Sequence, residues 1–280
     1  MFVNINISRD IIAIFKILYA FIVLDYTSIF VFTKKLSISF YLLSIFLYNS
    51  PMKILVTSGG TSEAIDSVRS ITNHSTGRLG KIITEILLAA GHEVCLITTK
   101  RALKPEAHPN LSIREIDNTN DLLVVMQELV KEYQGLIHSM AVSDYTPVYM
   151  TGLEEVQASP NLEEFLSKQN HQTKISSTDE VQVLFLKKTP KIISLVKEWN
   201  PAIHLIGFKL LVDVSEDYLI EIARKSLIKN QADLIIANDL TQISANQHRA
   251  IFVEKEQLQT VQTKEEIANL LLEKIQAYDS

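Results

Sequence analysis

The chain has 280 residues, 27 basic and 32 acidic side chains and a net charge of −5, which leaves ample length for a buried core and argues against a nucleic-acid surface as its main business. Its single cysteine, Cys95, excludes an intrachain disulfide framework, and the seven histidines have neither paired spacing nor cysteine partners, so no zinc motif can be read. Cys95 lies in an apolar run and reads as a small buried residue, and the cytoplasm is the expected compartment.

Residues 1–51 differ from the rest. Ile11 to Leu24 is apolar apart from Lys16, Ile29 to Phe32 follows Asp25, and Leu36 to Leu47 follows two lysines. None of these runs reaches the ~20 apolar residues of a membrane span, and no small-residue cleavage site follows them. Met52 and Lys53 open directly into a strand of an α/β pattern, so the expectation is that Met52 is the biological start. The alternative is a tilted membrane anchor.

From Met52 the elements alternate. An apolar run at Ile54 to Thr57 ends in Ser58-Gly59-Gly60-Thr61, and a polar octapeptide, Asn73 to Gly80, leads into a helix over Lys81 to Ala90 that Gly91 stops. Val94 to Thr98 is the second strand. In a parallel sheet such a crossover puts the loop at the carboxyl end of the strand, where a helix start with unpaired N–H groups favours anions. Glycines at 59, 60, 77 and 80 let the backbone approach a ligand, and Asn73, Ser75 and Thr76 add hydrogen-bonding side chains. Leu111 to Ile116 alternates as a third strand, and Asn118 to Asn120 caps a helix with an apolar face from Leu122 to Val130. Gly135 to Val142 is the fourth strand, delivering Asp144 to the same edge as Gly59 and Asn73.

Between Tyr145 and Glu180 the rhythm breaks, with Gly152, Pro160, one short helical stretch at Leu162 to Gln169, and Lys174 in a polar segment. A long insertion at the ligand edge reads as a flap or an arm for a partner subunit. Val181 to Leu186 then reads as a strand, and Lys187-Lys188-Thr189-Pro190 as the opening of a helix to Trp199, with proline suited to the first turn. His204 to Val212 is a strand containing Gly207-Phe208-Lys209. Ser215 caps a helix over Glu216 to Asn230, on which Lys225 and Lys229 share a face. Asp233 to Asn238, a hairpin of Arg249 to Val253 with Leu258 to Val261, and a helix from Lys264 to Ala277 complete one domain, residues 52–280. The fold expected is α/β: a Rossmann-like parallel sheet with helices on both faces, a flap insertion at about 145–180 and a C-terminal hairpin plus helix.

The motifs exclude two common nucleotide sites. No Gly-Lys-Ser or Gly-Lys-Thr closes a P-loop. A dinucleotide site wants Gly-x-Gly-x-x-Gly after strand one and an acid after strand two, whereas this chain has Ser58-Gly59-Gly60-Thr61 and Thr99-Lys100-Arg101. No tyrosine has a lysine four residues later, so a nicotinamide-dependent reductase is disfavoured. That reductase and a non-catalytic nucleotide-binding module stand as alternatives to a ligase.

Several separated segments, in order, resemble the phosphopantothenate–cysteine ligase family in its monofunctional bacterial form. They are Thr57 to Thr61, Val68-Arg69 to Gly77, Ala141 to Tyr145, Lys174-Ile175, Lys188 to Pro190, Gly207-Phe208 and Ala237-Asn238-Asp239. The resemblance implies a two-step ligation in coenzyme A biosynthesis. The carboxylate of 4′-phosphopantothenate attacks the α-phosphate of CTP, giving an acyl-cytidylate and pyrophosphate; the amine of cysteine then attacks the acyl carbonyl and releases CMP. It implies Asn73 and Lys174 as catalytic residues, Asn73 donating to the acyl oxygen and Lys174 of the flap stabilising phosphates. It further implies nucleotide contacts from Gly59, Gly60, Thr61, Asp144, Lys174, Lys188, Phe208, Lys225 and Lys229. Asn73, Ser75, Thr76 and Gly77 would hold the acid. Magnesium is expected with the nucleotide, held mostly by phosphates and water, and a homodimer with the flap reaching across is expected, with no nucleic acid and no membrane. The chain departs from the family at Gly207-Phe208-Lys209-Leu210-Leu211, at Lys174-Ile175-Ser176-Ser177, and in offering no flavin-dependent decarboxylase domain, which is expected in another chain.

Overall fold

The computed structural model describes residues 51–170, 173–244 and 246–278; the reading of residues 1–50 lies outside the described residues. Elements follow in the order β1 (Lys53–Ser58), β2 (Ser62–Ala64), β3 (Ser70–Thr72), α1 (Arg78–Ala89), β4 (Glu93–Thr99), β5 (Leu111–Ile116) and α2 (Thr119–Leu129). Then come β6 (Gly135–His138), β7 (Tyr145–Gly152), α3 (Leu153–Ala158), β8 (Gln182–Lys188), α4 (Val196–Trp199) and β9 (His204–Leu211). The chain closes with α5 (Glu216–Asn230), β10 (Leu234–Asp239), β11 (Ala250–Val253), β12 (Leu258–Val261) and α6 (Lys264–Tyr278).

One sheet carries eight of the strands in the order β12-β11-β10-β9-β6-β1-β4-β5, parallel from β10 to β5 and antiparallel at the terminal hairpin. Period-2 alternation divides its side chains between two cores. Leu55 of β1 points to a cluster with Leu122, Met126, Leu219, Ala223 and Val196, which belong to α2, α5 and α4. Ile54 and Val56 point to the other face, against Ile83 and Leu87 of α1 and Ile267 and Leu271 of α6. Both faces are therefore covered, as the near-continuous apolar strands require.

Strand order reverses at β1, which has β4 on one side and β6 on the other. A crevice opens outside the carboxyl ends at such a reversal, because the two connections leave in opposite directions.

Three sequence expectations are corrected. β6 ends at His138, not Val142, because its partner β1 leaves the extended path at Gly59 (φ 87°); beyond it the parallel register survives only as the isolated bridge Gly60↔Ala141. The stretch expected as strand Val181 to Leu186 lies outside the main sheet: as β8 it pairs antiparallel with β7 from Tyr145↔Lys188 to Gly152↔Gln182, forming a separate two-stranded arm. The helix expected from Lys187 to Trp199 does not form. Lys187 and Lys188 are held in the β8 ladder, and only a 3₁₀ turn at Ile192–Leu195 and the single turn α4 follow.

The arm has a small core of its own. Phe165, fully buried, stacks between Tyr149 and Phe185 at centroid distances of 5.9 and 4.8 Å, and the Lys168 ammonium lies 4.3 Å from the Phe165 ring centroid.

Candidate active site

The Gly59–Thr61 turn follows β1 and meets the segment after β6. Thr61 N–H donates to Ala141 O at 3.0 Å, Ala141 N–H to Gly59 O at 2.9 Å, and Ser143 N–H to Thr61 Oγ1 at 2.9 Å, with the two hydroxyls 2.9 Å apart. Asn73 closes this network: its N–H donates to Thr61 O at 3.1 Å, and its Nδ2 donates to Ser143 Oγ at 3.0 Å and to Ala141 O at 3.3 Å. Gly60 is required here, because a Cβ on it would stand 2.3 Å from Asn73 O. Gly77, at φ 75°, forms the N-cap of α1 and has no side chain to cap it; the Arg78 N–H donates to Thr76 Oγ1 at 3.4 Å.

A cleft of about 750 Å³ lies beside this network. The β2–β3 hairpin, the Asn73 to Thr76 loop, Thr99 to Arg101 at the end of β4 and Asp117 line it. Glu63 of β2, buried, accepts from Thr119 N–H at 2.9 Å and Thr119 Oγ1 at 2.7 Å and so pins the hairpin to the start of α2.

Lys174 is exposed, but the backbone on either side of it is anchored. Ser67 N–H donates to Thr173 O at 3.0 Å, Ile175 N–H donates to Asp66 Oδ2 at 3.1 Å, and Arg69 Nη2 donates to Ile175 O at 2.9 Å. The Arg69 guanidinium beside Asp66, with the N–H groups of Val68, Ile175 and Arg69, holds the Asp66 carboxyl well below the usual carboxylate range. The flap lysine is thus tied to the hairpin that borders the cleft.

At the base of the arm, Thr189 N–H and Oγ1 donate to Asp144 O and Ser143 O, and Lys191 pairs with Asp144 at 3.1 Å. Lys188 ends β8 opposite Tyr145, exposed. Phe208 lies half-buried in β9, next to Gly207, which pairs with His138. Gly59, Gly60, Thr61, Asn73, Ser75, Thr76 and Gly77 are therefore gathered at one crevice, with Asp144 and Lys188 at the adjoining arm base. Lys225 and Lys229 are not. They occupy the second half of α5, which runs from the carboxyl edge at β9 back toward the start of β10, and Lys225 is paired with Glu221 at 2.5 Å.

Sequence reasoning passed over Asp66 and Lys191. Lys191 lay in the misassigned helix, and Asp66 carries no local signal of a partner so distant in the chain. Asp239 is a further anchor: its carboxylate accepts from the Val214 N–H, from the Thr241 hydroxyl and N–H and from the Asp213 N–H, which hold it well below the usual range and fix the turn before α5. Among the described residues no three His, Cys, Asp or Glu side chains converge as a metal cage, and no helix is long and apolar enough to cross a membrane.

The family described as DNA/pantothenate metabolism flavoprotein C-terminal domain matches residues 50–153 and 161–278. The chain belongs to that family. Among its relatives, the coenzyme A biosynthesis bifunctional protein CoaBC of Thermococcus kodakarensis is 32% identical over 228 residues, covering 80% of this chain and 51% of that protein. Human phosphopantothenate–cysteine ligase is 27% identical over 225 residues, covering 67% of this chain and 72% of that protein. The chain spans about half the length of the CoaBC relatives it matches. Among solved structures of the family, the DNA/pantothenate metabolism flavoprotein from Streptococcus pneumoniae matches with 89% identity and a TM-score of 0.78, covering 81% of this chain and 99% of that one. The C-terminal domain of CoaBC matches with 25% identity and a TM-score of 0.61, covering 82% and 97%.

Proposed function

We propose that this chain joins cysteine to 4′-phosphopantothenate in coenzyme A biosynthesis, activating the acid with CTP. The observation that carries the reading is the Asn73 side-chain amide, held by Ser143 Oγ and Ala141 O at the strand-order reversal of a family that includes phosphopantothenate–cysteine ligases. A carboxylate is a poor acyl donor until one of its oxygens becomes part of a phosphate leaving group. The acid's carboxylate attacks the α-phosphate, pyrophosphate leaves, and the amine of cysteine displaces CMP from the acyl carbonyl.

Both Nδ2 hydrogens of Asn73 have protein acceptors, and the two bonds are unequal. The 3.0 Å bond to Ser143 orients the amide, while the 3.3 Å bond to Ala141 O is the weaker one. The hydrogen of that weaker bond turns to the acyl oxygen as negative charge develops there. Gly59, Gly60 and the start of α1 accommodate the nucleotide phosphates, with Asp144, Lys188 and Phe208 as further nucleotide contacts. Lys174, delivered by the anchored flap, adds positive charge. Magnesium would enter as the nucleotide's counter-ion, held mostly by phosphates and water, and would offset charge on the phosphates. Lys225 and Lys229 meet the nucleotide in this scheme only if a second subunit brings it to α5.

The working unit is a homodimer built through the arm, whose Tyr145, Leu162, Leu166, Val181 and Leu186 are exposed apolar side chains. A fully active monomer in solution would exclude this. The function itself is tested by mass detection of 4′-phosphopantothenoylcysteine from the acid, cysteine, magnesium and either CTP or ATP. Absence of product with both nucleotides, together with binding of a reduced nicotinamide, would return the reductase reading.

A further inference from the structure

We propose that Lys191 is a positioning residue for nucleotide binding: its ammonium holds and neutralises the Asp144 carboxylate, which lets that carboxylate stand in the crevice beside a polyphosphate. This rests on the reading of the crevice as a nucleotide site.

The pair is imposed by the backbones that carry it. Thr189 N–H donates to Asp144 O at 3.0 Å and Thr189 Oγ1 to Ser143 O at 2.5 Å, and Lys191 Nζ stands 3.1 Å from Asp144 Oδ1. Beyond Pro190, the buried Ile192 and Ile193 and the Ser194 N–H, which donates to Lys191 O at 3.0 Å, fix the other side of the turn. Among the described residues each is the other's only ion-pair partner, and Asp144 Oδ2 accepts no hydrogen bond. Asp144 and Lys191 line one small hollow with His138, which burial keeps neutral, so no core charge there competes for either partner. The side chains are 60% exposed for Lys191 and 66% for Asp144, so their pairing adds little to fold stability. Its consequence lies in what the crevice can receive.

Asp144 follows Ser143, the acceptor of the Asn73 amide, and lies three residues from Ala141, which bridges Gly60. A carboxylate accepts hydrogen bonds and donates none. The only part of a nucleotide that Asp144 can hold is therefore the nucleoside, through a ribose hydroxyl or a base amino group. The phosphates it repels, and in a partly desolvated crevice that repulsion is large at short range. Lys191 resolves the conflict. With the ammonium on Oδ1 the pair is neutral toward the phosphates, and Oδ2 stays free to accept from the nucleoside. The lysine acts through the aspartate and needs no contact of its own with the nucleotide.

The test is a double-mutant cycle on the full chain: wild type, Lys191→Met, Asp144→Asn and the two together, with Lys191→Arg as the conservative variant. Calorimetry measures binding of CTP and CMP, and of ATP and AMP, with magnesium and without the acid. Lys191→Met should weaken the triphosphate roughly fivefold or more and the monophosphate by a smaller factor, a loss that shrinks in about 0.5 M salt and that Lys191→Arg largely avoids. In the Asp144→Asn background the same lysine change should cost less than about twofold. A merely structural lysine would weaken both nucleotides alike, and a lysine that touches the phosphates itself would weaken the triphosphate equally in both backgrounds. Either result overturns the proposal, as does a wild type that binds no nucleotide. Product formation by the wild type separates this from the ligase reading. The expected cycle without turnover removes the ligase and keeps the role of Lys191; turnover with an unaltered triphosphate affinity in Lys191→Met does the reverse.

Discussion

Asp66 accepts the Ile175 N–H at 3.1 Å across a sequence separation of 109 residues, and Arg69, bound to the same carboxylate, donates to Ile175 O at 2.9 Å. One short turn beside the cleft therefore holds the flap residue that follows Lys174. Lys174 owes its position to this clamp and not to contacts of its own side chain.

Replacing Asp66 by Ala frees Ile175 and leaves Arg69 without its carboxylate. Since displacing a catalytic group by about 1 Å costs up to ~10²-fold, kcat/KM should fall roughly tenfold or more with little change in global melting temperature. Limited proteolysis near residue 174 should speed up in the variant. Unchanged activity and unchanged cleavage would show that the clamp does not position Lys174.

The clamp should also resist acid. A free carboxylate titrates near 3.9, and the folded Asp66 lies well below that range. Its stabilising contribution is therefore full above the unfolded value and fades only as the pH falls below about 4 toward the folded one. Proteolysis of the flap with an acid-tolerant protease should be equally slow at pH 7 and pH 5; early opening at pH 5 would contradict the assignment.

Two histidines act at milder pH. Burial pushes His138 down to about 4, with Lys191 adding to it, and burial with Lys264 nearby pushes His248 down to about 4. Both are neutral when folded, whereas an unfolded histidine takes its proton near 6.5. The unfolded state thus binds more protons between those values, and stability present above pH 6.5 is lost as the pH falls through that window, by about 2–3 kcal/mol per pH unit near its middle. Urea unfolding at pH 7.5, 6 and 5 measures this, and His138→Gln should flatten about half of the slope. A pH-independent midpoint would refute it.

Gly60→Ala tests the network around Asn73. With no room for a Cβ 2.3 Å from Asn73 O, the loop must move. Stability should fall by about 1–3 kcal/mol, and activity by roughly 10²-fold. A well-folded variant with full activity would show that the position of Asn73 is not tightly required.

The sheet was legible because its strands are buried on both faces and its helices carry apolar faces. α1, α2, α5 and α6 all fall within a few residues of where periodicity puts them. The arm was misplaced because Val181 to Leu186 has the same apolar character in a separate hairpin as in a central sheet, and six residues do not name their partner. Pro190 after two lysines imitates a helix start, yet the ladder to Tyr145 and Thr146 holds those lysines extended. In the site, the glycines and Asn73 stood out as polar and small residues between apolar runs. The Asp66–Ile175 and Asp144–Lys191 ties did not, since they join segments that only the fold brings together.

In the proposed reaction Asn73 and Lys174 serve one nucleotide-dependent ligation. Its most direct test is pyrophosphate release by the full chain with 4′-phosphopantothenate, magnesium and either CTP or ATP, with and without cysteine, beside Asn73→Ala and Lys174→Ala. The expected result is sustained release with CTP that needs both the acid and cysteine, and that falls at least ~10²-fold in each variant. Release that persists in both variants, or none with either nucleotide in the wild type, would refute the ligation.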